Sequence, residues 1–256
     1  MSLLRVQALG KSFGGVSAVD NVSFALNPGE MLALIGPNGA GKSTTFNLIN
    51  GQLLADQGQI LLNGHSLVGL SPREICRQGV GRTFQIAETF SSLSVVENVQ
   101  MALLSYTKNI FSFFKSAAAF QRSEAMQLLS WVGLEDLADR AVSELAYGDV
   151  KRVELALALA MQPSLLLMDE PTAGMAPVER SDLMSLIKRL VVERQIAVLF
   201  TEHSMDVVFG YADRVIVLAQ GQLIAEGSPE DIRRDPQVQR VYFGSGATFE
   251  DFHAER

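Results

Sequence analysis

One run of residues carries the clearest chemistry in the chain: Gly36-Pro37-Asn38-Gly39-Ala40-Gly41-Lys42-Ser43-Thr44 fits the pattern G-x-x-x-x-G-K-[ST]. Its glycines let backbone N–H groups curl around phosphate oxygens, and a helix starting there adds positive potential. Lys42 can then reach the outer phosphates of a nucleotide, and Ser43 offers an oxygen to Mg2+. A Gly-rich turn with a solvated lysine is the plainer alternative. The apolar run before the pattern and the helix-forming run Thr45-Phe46-Asn47-Leu48-Ile49 after it argue against that. A second pair, Asp169-Glu170, follows the apolar run Leu165-Leu166-Leu167-Met168. Alone it is commonly a solvated loop. Beside a phosphate loop, Asp169 would orient Mg2+ and its waters, and Glu170 would polarise the water that attacks the terminal phosphate. His203, in Thr201-Glu202-His203-Ser204, is by itself more often a turn or capping residue than a catalyst. In a fully parallel sheet it would share an edge with Lys42 and Asp169. His65 and His253 lack such a context and read as surface residues.

These groups need a scaffold, and the hydrophobic pattern supplies one. Met31-Leu32-Ala33-Leu34-Ile35 is continuously apolar, as a strand buried on both faces requires, and so are Leu165 to Met168 and Ile196 to Phe200. Between the last two, Leu183, Leu186, Ile187, Leu190 and Val191 recur at helical spacing, with Pro177 at that helix's first turn. Strand, helix, strand in this order is a parallel α/β arrangement. The opening third instead alternates apolar and polar residues, as in Val19 to Leu26, the period of half-buried strands. Ser71-Pro72-Arg73-Glu74 and Ser228-Pro229-Glu230-Asp231 are capping-box helix starts. From about Val95 to Leu145 strand signals vanish, and segments such as Ser123 to Val132 and Val150 to Met161 read as helix, so a helical insert is expected there.

Composition narrows the classes. With 256 residues, 48% hydrophobic, the chain can bury a sizeable core. A net charge of −7, from 21 basic and 28 acidic residues, argues against a protein whose affinity comes from nucleic-acid phosphates or anionic lipid. Cys76 has no partner for an internal disulfide, and the first residues lack the apolar stretch of a secretory signal, so a cytoplasmic setting is expected. The longest apolar stretches are broken by Glu154 and Pro163, or by Lys115, short of the roughly 20 residues a membrane span needs.

In their joint order these motifs resemble the ATP-binding subunit of an ABC transporter, from Leu3 to about Gly244. The resemblance implies an α/β P-loop NTPase core with a mainly parallel sheet, an N-terminal antiparallel β subdomain and an inserted α-helical subdomain. It implies one nucleotide-binding domain over 1–244, with core and β parts in 1–94 plus 153–244, a helical part with the signature in 95–152, and a tail over 245–256. Residues 36–44 then correspond to Walker A, Leu165 to Glu170 to Walker B with Glu170 catalytic, and His203 to the switch histidine. Gln85, in Arg82-Thr83-Phe84-Gln85, corresponds to the Q-loop glutamine that acts in catalysis and, with Ser43 and Asp169, toward Mg2+. Phe13 lies where an aromatic ring stacks on adenine. Leu145-Ala146-Tyr147-Gly148-Asp149 takes the place of the signature, usually L-S-G-G-Q, which meets the γ-phosphate of ATP held by a second subunit. Ala146, Tyr147 and Asp149 depart from that pattern, and Ala176 lacks the polar side chain usual in the loop that couples two ATP sites.

The L-A-Y-G variant, the Gly81 to Gln85 segment, Ile224 to Pro229 and the apolar stretch Ile110 to Phe120 resemble the branched-chain amino acid uptake branch. The resemblance implies ATP and Mg2+ as cofactors and, as partners, integral-membrane permease subunits and a second ABC ATPase subunit. A periplasmic or extracellular solute-binding protein would take part indirectly, and no nucleic acid. The chain would sit peripherally on the cytoplasmic face of the membrane, with the permease docked around Phe84 to Val99 through Phe90, Leu93, Val95 and Val96, side chains that read equally well as ordinary core. The rival readings are a weakly hydrolysing nucleotide-sensing subunit motivated by Asp149 and Ala176, and a motor for urea, amides or aromatic acids. A P-loop phosphotransferase would need an arginine-rich lid, toward which only Arg82 stands out. A DNA-repair or translation ATPase would need long inserts or a second nucleotide domain.

Overall fold

Two sheets lie back to back with their strands' apolar faces sharing one interior, in a computed structural model that describes residues 2–83, 89–107 and 121–243. The first is formed by β1 (Leu4–Phe13), β2 (Val16–Leu26), β4 (Gln57–Leu62) and the short β5 (His65–Ser66), in the order β2-β1-β4-β5 with antiparallel pairing. The second contains β3 (Met31–Ile35), β6 (Val80–Thr83), β7 (Leu165–Asp169), β8 (Ala197–Thr201), β9 (Arg214–Ala219) and β10 (Gln222–Gly227). Its order is β10-β9-β3-β8-β7-β6, parallel throughout except for the β9–β10 hairpin. The continuously apolar runs in the sequence are its central strands, and every residue of β3 and β8 is buried, because this sheet is covered on both faces.

One face of the second sheet packs with the first sheet and α1 (Lys42–Ile49), which contributes Phe46 and Ile49. The other carries a larger core that includes α6 (Pro177–Arg194), through Leu183, Ile187 and Leu190. α2 (Pro72–Arg77) and α8 (Pro229–Arg234) begin at the capping boxes of Ser71 and Ser228, whose hydroxyls accept the N–H of Glu74 and Asp231. The helical stretch comprises α3 (Val95–Thr107), α4 (Arg122–Val132) and α5 (Tyr147–Leu159), which contact one another. α7 (Met205–Tyr211) and α9 (Pro236–Phe243) complete the α-helices among the described residues.

Two expectations change in the structure. Val95 and Val96 are fully buried at the start of α3 and belong to the core, so they offer nothing to a docking partner, whereas Phe90 is 57% exposed. α5 begins at Tyr147 rather than Val150, since Ala146 is extended and the chain turns helical directly after it. Residues 147–149 of the signature-like segment are therefore the helix's first turn. Gln85, with the rest of 84–88, the apolar stretch 110–120 and the tail 245–256 lie outside the described residues.

Candidate functional site

The sheet order explains how residues far apart in sequence meet. β8 lies between β3 and β7, and all three run parallel, so the loops leaving their C-terminal ends share one edge. β3 leads into residues 36–44, β7 ends in Asp169 with Glu170 directly after it, and β8 is followed by Glu202 and His203. A cavity of about 210 Å³ at that edge is lined by Ala18, Gly39, Lys42, Ser43, Glu170 and His203, among others. No residue of the signature-like segment 145–149 lines it.

Close backbone approach dictates the loop's glycines. A Cβ on Gly36 would lie 2.1 Å from the Leu218 carbonyl, and one on Gly41, at φ +102°, would lie 2.4 Å from that of Ala18. Lys42 folds back and donates to the carbonyls of Gly36 and Pro37 at 2.6 and 3.1 Å. Burial lowers its pKa, and the nearby charges of Glu170 and Asp169 work the other way. The lysine and both carboxylates thus share one electrostatic neighbourhood. At the loop's root the phenol of Tyr242, on α9, hydrogen-bonds the backbone of Gly36, and burial raises its pKa.

Each acid is held differently. Asp169 accepts a 2.6 Å hydrogen bond from the Thr201 hydroxyl on the next strand, with Arg82 3.8 Å from its other oxygen. Glu170 stands 2.9 Å from Nε2 of His203 and has a left-handed backbone, φ +49°. That conformation costs a non-glycine residue about 1–3 kcal/mol and persists only where its surroundings enforce it. Here the Glu170 N–H is fixed by the backbone and hydroxyl oxygens of Thr201. Glu202 faces away from the cavity: it is buried and accepts from the N–H and hydroxyl of Thr172 and from the N–H of His203. Its carboxylate therefore ties the chain after Glu170 to the chain carrying His203.

The remaining candidates lie elsewhere. Phe13 ends β1 at a hairpin tip, 46% exposed, with the Lys11 ammonium 5.5 Å from its ring centre. Tyr147 is equally exposed and donates its hydroxyl to Ala173 at 3.3 Å, so the start of α5 touches the loop before α6. In that loop Ala176 occupies the cap position of α6, where Glu179 accepts its N–H, but a methyl group can cap nothing in return. Sequence reasoning missed Thr201, Glu202, Arg82 and Tyr242 as parts of this arrangement. Only Thr201 and Glu202 carried a signal, their adjacency to His203.

Comparison with known proteins agrees with the fold. The ABC transporter family profile matches residues 19–173, and that of the branched-chain amino acid ATP-binding cassette transporter matches residues 222–248. The high-affinity branched-chain amino acid transport ATP-binding protein LivG of Escherichia coli is 41% identical over 249 residues, 94% of this chain and 98% of that protein. The corresponding protein BraF of Pseudomonas aeruginosa is 38% identical over 250 residues, again 94% and 98% of the two chains. Among solved structures, an ATP-binding cassette of an ABC transporter in its ADP conformation superposes with a TM-score of 0.85 at 33% identity, covering 96% of this chain and all of that one. A nucleotide-free cassette gives 0.84 at the same identity.

Proposed function

The chain belongs to the ABC transporter family of ATP-binding proteins, and from that membership we propose that it is the ATP-hydrolysing motor of an importer for branched-chain or other hydrophobic amino acids. The Glu170–His203 contact across the phosphate-loop cavity carries the catalytic part of this reading. The match of residues 222–248 to a profile of branched-chain transporters supports the solute.

The backbone of residues 36–44 cradles the ATP phosphates, and the Lys42 ammonium exchanges its carbonyl partners for phosphate oxygens. Ser43 and Asp169 offer hydroxyl and carboxylate oxygens, the hard donors that suit Mg2+, which takes few protein ligands and completes its shell with phosphate and water. Held by these two residues, Mg2+ would supply neutralisation of charge on the outer phosphate oxygens. Glu170 orients and polarises the attacking water as general base, with His203 holding its carboxylate in place. Gln85 completes this set, and Phe13 presents its ring face to adenine.

Energy must then leave the site. A second ATPase subunit, the same or a different chain, would bring its residues 145–149 onto this ATP, with the α5 N-terminus facing the γ-phosphate. The permease would dock beside the edge strand β6, where a largely apolar cleft of about 290 Å³ runs between α2, α3 and α5 and is lined by Cys76, Ala102, Leu157 and Met161. Exposed Phe90 and Met101 belong to the same α3 region. The chain would thereby be held at the cytoplasmic face, with a solute-binding protein acting from the other side.

Uptake by vesicles carrying the complete transporter tests this. Labelled leucine should accumulate with ATP inside and stop when Glu170 is replaced by Gln. ATP-driven uptake of urea, an amide or an aromatic acid in preference to leucine would overturn the solute assignment. Equal uptake with Glu170→Gln would overturn the motor assignment.

A further inference from the structure

Arg82 is a half-buried cation that the catalytic scheme above does not use. Its backbone pairs with Leu167 of β7, so by strand alternation its side chain leaves on the same face as those of Leu167 and Asp169. That face is covered by α1: Leu167 packs in one cluster with Phe46 and Ile49. The guanidinium, 14% exposed, donates through one nitrogen to the side-chain oxygens of Asn47 and Gln52, both at 3.0 Å. Its other terminal nitrogen lies 3.8 Å from Asp169. Since the second Asp169 oxygen is bound by Thr201, the carboxylate is oriented from both sides. Asn47 follows Ser43 by four residues, so both side chains project from the same face of α1.

We propose that Arg82 is a positioning residue for the Mg2+ site: by bridging Asn47 to Asp169 it sets the separation between the Ser43 hydroxyl on α1 and the Asp169 carboxylate on β7. This rests on the reading of Ser43 and Asp169 as Mg2+ ligands. A rigid planar fork suits the task, because it can bind α1 and β7 at once with fixed geometry, which a lysine cannot. The opposing effect is charge: a guanidinium near a dication repels it, so its removal could also tighten Mg2+. Asn47 on α1 and Gln52 just beyond its end hold the group in place, and in this proposal the bridge outweighs the repulsion.

The test measures binding of a fluorescent ATP analogue to the full chain, in EDTA and through a Mg2+ titration. In Arg82→Gln the affinity in EDTA should stay within about twofold, while the Mg2+ concentration for half-maximal enhancement rises about tenfold, the scale of outer-shell substitutions at metal sites. Asn47→Ala should do the same, and the double variant should be no worse than either single one, because both cut one bridge. Arg82→Lys should fall between wild type and Arg82→Gln. Tighter Mg2+ in Arg82→Gln, equal losses with and without metal, or additive effects of the two substitutions would each overturn the proposal. Wild-type binding indifferent to Mg2+ would instead sink the underlying ligand reading and this inference with it.

Discussion

A general base works only when it is ionised and aimed, and in the proposed role Glu170 would owe that aim to the local structure around it. Its strained backbone is fixed by Thr201, its carboxylate meets Nε2 of His203, and the buried Glu202 joins the two segments behind them. Glu170→Gln keeps the shape and the hydrogen bond but removes the basic oxygen. Turnover should fall about 10²–10⁴-fold, the usual contribution of general-base catalysis, while binding of MgATP stays near wild type. Phosphate release by the purified chain, measured beside equilibrium nucleotide binding, checks this. Parallel loss of both would assign Glu170 to binding instead of catalysis.

At the scale of elements, the sequence was most legible where one physical requirement dominates. The strands buried on both faces stood out as unbroken apolar runs, and the phosphate loop as glycines that no side chain could replace at Gly36 and Gly41. At the N-terminus alternation over Val19 to Leu26 marked a half-buried strand, whereas the antiparallel pairing was implied only by the family resemblance. What was hidden depends on pairing across strands: nothing near Arg82 in sequence announces Asn47 or Asp169, and nothing near Tyr242 announces Gly36. Val95 and Val96 misled because an apolar pair at a helix start looks the same whether it faces a partner or the core, and burial decided for the core. The capping boxes were legible at Ser71 and Ser228, and the same spacing at Ser94 and Glu97 starts α3. Hydrogen bonds from these serines lower the pKa of Glu74, Glu97 and Asp231 below the ordinary carboxyl values of 4.5, 4.5 and 3.8. A depressed carboxyl contributes stability that is complete above the unfolded-state value and is lost as pH falls through the folded-state value. Ser71→Ala should therefore lower the unfolding temperature at neutral pH and lower it less in acid, below the depressed range. Thermal unfolding of both proteins at the two acidities checks the sign, and an equal difference at both would show that Glu74 contributes nothing through its charge.

For the whole molecule, the decisive quantity is whether two copies close on ATP. The phosphate-loop cavity is built without residues 145–149, so within one chain the signature-like segment has no nucleotide to meet. Closure would bring the first turn of α5 to a triphosphate, and Asp149 stands in that turn. Its carboxylate complements the helix N-terminus while the subunit is alone, and competes for the same positive potential once the γ-phosphate approaches. At an effective dielectric of about 20, two unit charges some 8 Å apart repel by roughly 2 kcal/mol, enough to shift an association by more than tenfold. Light scattering of Glu170→Gln should show a monomer without nucleotide and a doubled mass with MgATP. A symmetric pair loses two such repulsions, about 4 kcal/mol, so adding Asp149→Gln should lower the protein concentration needed for that doubling by up to roughly a thousandfold. A double variant that binds MgATP yet stays monomeric would mean that this signature does not close on its own phosphate loop. The second half of the motor would then be a different chain, and Asp149 would mark the ATP site where closure is weaker.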